Sequence, residues 1–446
     1  MWLLLSDPIY IGEKILKAAE ASGFQECAVL LTTTDRSMVK IVNSQPGIVQ
    51  SWRTYSTSIY VARGERIAQA SFDTWSLDQI SRKISELSGN IDQLERSMLY
   101  APLPDPDPRA RPLSKAFDDK IEKLMEDPRD IAEMMINRAI EEGVERVAGI
   151  LDLGINVKCL ATSKGFNACE KRSFIDAHLR SFKGEGSGHW GYGSRYYDPK
   201  ELEEAALKSA EYAKLSASQR SIEPGKYDVI LSPMVFGELL DSIVRGFTGF
   251  SYLVGTTFLA NRKPGDRIAS EVLTIKDSPH REDMMGSTGF DDEGVSTREV
   301  ALVEKGVFRS LLHNSKTARA MGTESTGNAG WIMPRPWNIC VEQGDRGDEE
   351  LIRDLRRGLI ATNNWYTRYH NFVEGIFSTV LRDAILIVDN GEIVGASRRM
   401  RIADTVNNLL TNIEALGKRL YKVKWWEITT PVESPYILVR EVRISR

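Results

Sequence analysis

Apolar positions recur at helical spacing from residue 11 to 22, where Ile11, Ile15, Leu16 and Ala19 share one face between Asp7-Pro8 and Gly23. This predicts an opening helix. Strand-like runs follow at Cys27 to Thr33, Met38 to Val42, Tyr55 to Ala62 and Arg66 to Phe72, with a helical pattern from Leu77 to Leu87. Five prolines between residues 101 and 112 block helix and sheet hydrogen bonding and predict a stiff linker or surface loop. Helices are expected at 115 to 125 and 128 to 142, then strands near 146 to 160 and 172 to 182. A helix from Asp198 to about Leu215 precedes Pro224-Gly225. The second half is richer in strands. Glu304-Lys305-Gly306 and Asn390-Gly391 each separate two apolar runs, and Asn-Gly favours a type I′ hairpin because both central residues need positive φ. The reading is an α+β chain of three domains: an α/β sandwich-like unit at 1–112, a middle unit at 113–222, and a unit at 223–446 built on a large, mostly antiparallel sheet with flanking helices.

At 446 residues and 42% apolar content the chain can bury large cores without staples. Cys27, Cys159, Cys169 and Cys340 form no Cys-x-x-Cys pair. Neither a disulfide framework nor a thiolate zinc site is therefore expected, and a reducing cytoplasm fits best. Met1-Trp2-Leu3-Leu4-Leu5 is too short and lacks the basic start of a signal peptide. No run approaches the roughly 18 apolar residues of a membrane span, so a soluble protein is expected. With 58 basic and 62 acidic residues the formal charge is −4, which disfavours direct nucleic-acid binding. Arg398-Arg399-Met400-Arg401 is the one local basic cluster singled out, read as a solvated face.

Gly186-x-Gly188-x-x-Gly191 imitates a dinucleotide fingerprint, but His189-Trp190 lie inside it and no helix follows at once. A flexible glycine-rich connection over 184–193 is expected, with a mobile peptide-facing loop as an alternative. His178, His189, His280, His313 and His370 include no pair at helical ligand spacing, and each reads as surface or structural. No Gly-x-Ser-x-Gly elbow occurs around Ser187 or Ser397. Asp291-Asp292-Glu293 resembles a hard-cation site, yet three adjacent acids cannot alone supply six oxygen ligands.

The run Gly289 to Arg298, continuing through Val303 to Val307 and on to Thr323-Glu324-Ser325-Thr326-Gly327-Asn328, resembles the signature of the TldD/PmbA family. The resemblance extends to Thr162 to Gly165, to Ser187-Gly188 and Tyr192-Gly193, to Val229 to Pro233, and to Ile385 to Gly391. In that family the TldD-type subunit is similar to a zinc peptidase. Its His-Glu-x-x-x-His motif lies on the helix after the strand equivalent to Tyr227 to Leu231, with a C-terminal cysteine as a further ligand. Here Ser232 and Pro233 suit a helix start, and Phe236, Leu239, Leu240, Ile243, Val244 and Phe247 form its apolar stripe. The three motif positions fall on Asp241, Ser242 and Gly246.

The resemblance therefore implies the family's motif-free TldE/PmbA type: no metal, no cofactor and no catalytic residue of its own. It implies a TldD-type zinc peptidase subunit as partner and unfolded peptides as substrate of the pair, without membrane or direct nucleic-acid contact; a homodimer stays open. Asp291, Asp292, Glu293, Arg298 and Asn328 are expected to bind peptide or to hold structure. Two alternatives stay open: a peptidase using an unrecognised site near His280, and a protein-binding regulator of DNA gyrase.

Overall fold

The computed structural model describes residues 7–446, so the expectation for Met1 to Leu5 lies outside the described residues. Six antiparallel strands form the first sheet: β1 (Glu26–Val42), β2 (Gln45–Arg63), β3 (Arg66–Phe72), β4 (Arg146–Thr162), β5 (Asn167–Lys183) and β6 (Gly186–Ser194), in the order β3-β2-β1-β4-β5-β6. The two runs expected at 27–33 and 38–42 are one strand. The polar stretch Thr32 to Arg36 does not break it, because those residues are paired on both sides, to β2 and to β4. Asn43 and Ser44, at φ 48° and 62°, turn β1 into β2 with the two positive φ values that a tight hairpin requires. β1 pairs β4 from Ala28 to Ile41, so residue 112, expected as a domain boundary, lies between strands of one sheet.

Alternation sorts the two faces of this sheet. Val29 and Leu31 face helices α1 (Pro8–Ala21) and α2 (Leu77–Asn90), in a core with Ile15, Ile59, Ile80 and Ile84. Val39, Leu151, Ile175 and Leu179 lie in the main core with Ile131 and Met135 of α4 (Arg129–Glu141) and Ala206 and Ala210 of α5 (Pro199–Leu215); α3 (Asp119–Leu124) precedes α4. On the opposite face Ala28, Tyr60 and Leu160 cluster with Phe166, Phe290 and Trp331. The proline segment contributes buried Leu103 and Ala110 to that cluster. It is a packed strap rather than a free linker: the Leu103 amide donates to Glu26 Oε1 at 3.1 Å and the Leu113 amide to Glu170 Oε2 at 2.8 Å.

The glycine-rich stretch is also packed. A Cβ on Gly188 would lie 2.2 Å from the Ser209 carbonyl oxygen of α5, and one on Gly191 would lie 2.7 Å from that of Lys424. Glycine is needed here for close approach, not for mobility. The cysteine expectation is corrected as well. β4 and β5 place Cys159 directly opposite Cys169, with Cα atoms 4.0 Å apart, and the two sulfurs are bonded. A separation of ten residues concealed a cross-strand pair, and the argument from cysteine spacing to a reducing compartment fails for these two.

The C-terminal half holds β7 (Gly225–Leu231), β8 (Ile275–Asp277), β9 (Val300–Glu304), β10 (Val307–Phe308), β11 (Ile339–Val341), β12 (Gly358–Asn371), β13 (Ile376–Asp389), β14 (Glu392–Ser397), β15 (Arg401–Thr405), β16 (Ile413–Leu416), β17 (Tyr421–Trp425), β18 (Ile428–Ser434) and β19 (Ile437–Ser445). One sheet runs β10-β9-β8-β11-β18-β17. In the other, β12, β7, β19, β15 and β13 pair in succession and β13 returns to β12, closing a ring. Both expected hairpins are present, with positive φ at Lys305-Gly306 and Asn390-Gly391. Apart from the parallel pairs β7–β12 and β11–β18, strands in both sheets are antiparallel. Among the described residues no helix is long and apolar enough to cross a membrane.

Gly188→Ala is expected to destabilise the protein by about 2 kcal/mol or more through overpacking against α5. Chemical denaturation would measure it, and a loss below about 0.5 kcal/mol would mean that β6 is not held against α5.

Candidate functional site

The helix that would carry a zinc motif is α6 (Pro233–Val244), entered directly from β7. Ser232 caps it: its hydroxyl accepts from the Val235 amide at 3.3 Å and donates to the Thr362 carbonyl at 2.8 Å. The helix is buried almost all round, with Phe236, Leu240, Ile243 and Val244 in the main core. It lies between the strand ring and β17–β18, so any polar side chain on it needs an internal partner.

Asp241 has four. Its Oδ2 accepts from the Thr429 amide at 3.0 Å, the Thr429 hydroxyl at 2.7 Å and Arg245 Nη2 at 3.2 Å, and its Oδ1 accepts from the Thr430 amide at 3.2 Å. This carboxylate ties α6 to the start of β18. Ser242 is half-buried, and Gly246 lies in the 3₁₀ turn Arg245–Phe247. Both line a cavity of about 440 Å³ with Thr257, Phe258, Tyr369 and Phe372. A Cβ on Gly246 would sit 2.8 Å from Thr257 Oγ1. The site does not fit zinc: one carboxylate is saturated by other donors, one position offers a neutral hydroxyl and one has no side chain. Among the described residues no three His, Cys, Asp or Glu side chains are grouped to hold a metal. Cys340 is buried in β11, where burial pushes its thiol up to about 12.

One turn before Asp241, sequence reading passed over Glu238. It is 3% exposed and accepts a hydrogen bond from Asn364 Nδ2, while Asn364 also donates to Thr379 Oγ1 at 3.0 Å. Burial raises its carboxyl to about 8, so it is largely protonated at neutral pH. No motif marks it; its signal was an acid, one turn before Asp241, within an apolar helical stretch.

The acidic signature is internal. Glu293 accepts from Lys316 Nζ at 2.9 Å and from the Ser315 hydroxyl and amide, and neither Glu293 nor Lys316 is exposed by more than 1%. Asp291 takes the amides of Glu293, Val295 and Ala329 at 2.9–3.0 Å; burial first, then Glu293, raises its carboxyl to about 7. Asp292 pairs with Lys158 Nζ at 3.0 Å and Arg335 Nη2 at 2.8 Å. Against the effect of burial, these cations hold it below the usual carboxylate range. Asn328 bridges Thr326 and Asp277. Arg298 alone of the five is exposed. Since Lys158 belongs to β4, the string fastens the first sheet to the C-terminal half.

Two histidines from different strands do meet. His189 Nε2 lies 3.4 Å from His178 Nδ1, and His189 Nδ1 lies 2.6 Å from Asn363 Nδ2. Burial lowers both imidazoles, His178 to about 4, so both are neutral at pH 7. Helical ligand spacing could not reveal a cross-strand pair. His280 bonds Thr297, His313 approaches Thr317 and His370 bonds Ser378, each separately.

Residues 224–446 match the family described as the PmbA/TldA metallopeptidase C-terminal domain. A metalloprotease of Methanothermobacter thermautotrophicus is 28% identical over 230 residues, half of each chain. Metalloprotease PmbA of Escherichia coli O157:H7 is 27% identical over 248 residues, 54% of this chain and 52% of that protein. The chain thus spans about half the length of the curated relatives it matches. TldE from Thermococcus kodakarensis shares the fold with a TM-score of 0.84, covering 98% of this chain and 100% of that one at 20% identity.

Two outcomes are expected at α6. Asp241→Ala leaves the Thr429 and Thr430 amides without their acceptor and lowers stability by about 2–3 kcal/mol, measurable by denaturant unfolding. Glu238 holds its proton up to about pH 8 in the native state, against an ordinary value of 4.5. The native state therefore binds more protons across this window and loses stability as pH rises through it. Glu238→Gln is expected to reduce that loss by on the order of a few kcal/mol. Thermal melts at about pH 5 and about pH 9 would read it, and an unchanged slope would remove Glu238 as the titrating group.

Proposed function

The chain belongs to the PmbA/TldD metallopeptidase family, and within it we propose the role of a non-catalytic TldE/PmbA-like subunit that pairs with a TldD-type zinc peptidase. The observation that carries this reading is Asp241. At the position of the first zinc ligand stands a carboxylate whose oxygens are engaged by β18 and Arg245, followed by Ser242 and Gly246. The frame of the peptidase helix is retained while its chemistry is replaced.

A surface beside this helix supports the pairing. Trp365 (40% exposed), Tyr366 (56%), Phe372 (56%) and Trp426 (57%) project from β12, the β12–β13 turn and the β17–β18 turn. Ring centroids of Trp365 and Trp426 are 6.5 Å apart, and Phe372 stacks on Tyr369 at 5.2 Å. Phe372 and Tyr369 also line the cavity at Ser242 and Gly246. Exposed aromatic side chains grouped in this way are unusual on an isolated monomer and typical of binding hot spots. In the proposed dimer this face meets the zinc subunit and helps to admit unfolded peptides to it.

Reconstitution tests the proposal. The isolated chain is expected to cleave no peptide and to show no change in melting temperature with added zinc. Mixed with a TldD-type subunit, it is expected to give a complex of the summed mass and a change in peptide cleavage. Trp426→Ala should weaken the complex about tenfold or more without altering the chain's own melting temperature. Absence of any effect on partner mass and cleavage rejects the subunit role.

A further inference from the structure

Two residues of the basic cluster at 398–401, Arg398 and Arg399, are exposed, as a solvated face requires, but they also border a cavity. Arg398 and Arg399 line a cavity of about 460 Å³ together with Arg180 of β5 and Arg382 of β13. The floor is Asp383, whose side chain is fully buried. Arg180 Nε donates to its Oδ1 at 2.5 Å, and Arg382 Nε lies 3.2 Å from its Oδ2. Asn363 Nδ2 donates to the same carboxylate at 3.2 Å. Both arginines are thus held by their Nε ends. Neither has a buried Nη nitrogen without a partner, so these nitrogens are open to the cavity, and the two guanidinium groups lie over the rings of Phe182 and Trp365, 5.2 and 5.0 Å from their centroids. Arg398 pairs with Glu185 at 3.0 Å, while Arg399 has no acidic partner among the described residues. Four guanidinium groups therefore face two carboxylates, and the cavity keeps a net positive charge. Phe182, Val380 and Leu381 provide an apolar wall.

A pinned Nε with two free Nη nitrogens is the half of a fork that receives a planar oxyanion. A phosphate group carries about −1.5 to −2 and would meet Asp383 and Glu185 in the same walls. A single carboxylate brings less repulsion with those two acids, and the apolar wall suits a side chain attached beside it. We propose that this cavity binds the free α-carboxylate of a peptide's C-terminal residue, with an apolar last side chain against Phe182, Val380 and Leu381. The choice of a peptide rests on the function proposed above.

The test uses the isolated full chain without a partner subunit, so its failure is distinct from a failure of reconstitution. Calorimetry would compare an acetylated tetrapeptide ending in leucine as the free acid, the same peptide as its C-terminal amide, free leucine and inorganic phosphate. The free acid is expected to bind about tenfold or more tightly than the amide and more tightly than leucine or phosphate. Arg382→Gln should abolish the preference of acid over amide. Should that variant fail to fold, the exposed pair Arg398→Ala/Arg399→Ala should weaken acid binding severalfold while leaving amide binding unchanged. Equal binding of acid and amide, tighter binding of phosphate, or an acid preference that survives in the folded variants would overturn the proposal.

Discussion

The ion-paired contact between Lys158 of β4 and Asp292 is the constraint on which the arrangement of this protein depends. Both groups are buried, and an isolated charge in such a place would be strongly disfavoured. Asp292 is ion-paired with Lys158 and Arg335 together, so the loop carrying it is tied to the first sheet. Removing one partner would leave the other buried and unpaired. Beside it, Lys316–Glu293 and the three amides on Asp291 hold the loop's own shape. The signature string is thus a joint between the first sheet and the C-terminal half.

The same face of the first sheet sets the rest. Strand alternation sends Asp176, His178 and Arg180 of β5 toward the C-terminal domain, while Ile175, Ala177 and Leu179 enter the main core. Arg180 reaches Asp383, and His189 of the neighbouring strand reaches Asn363. Glycines at 191 and 193 let β6 approach β17 closely enough for this to happen. A polar row that looks solvated in isolation becomes the lining of an interdomain seam.

Around α6 the polar side chains serve attachment. Asp241 holds β18, Gly246 admits Thr257 and Phe258 at close range, and Glu238 stays protonated against Asn364. None of these roles activates water, yet they preserve the helix position beside an aromatic surface.

Local signals determined much of this protein. Hydrophobic spacing, the Lys305-Gly306 and Asn390-Gly391 turns, the Ser232-Pro233 helix start and the absence of histidine at 241 and 246 depend only on neighbours in the chain or on the residues themselves, because backbone dihedrals and helix caps are short-range properties. Tertiary structure decided what neighbours cannot encode. It turned the 101–112 linker into a packed strap and the glycine loop into a buried strand, and it set Cys159 opposite Cys169. It also brought Arg180, Arg382 and Arg399 around one cavity. Each outcome depends on strand register and on which face of a sheet is covered, and these are fixed by burial across the whole fold.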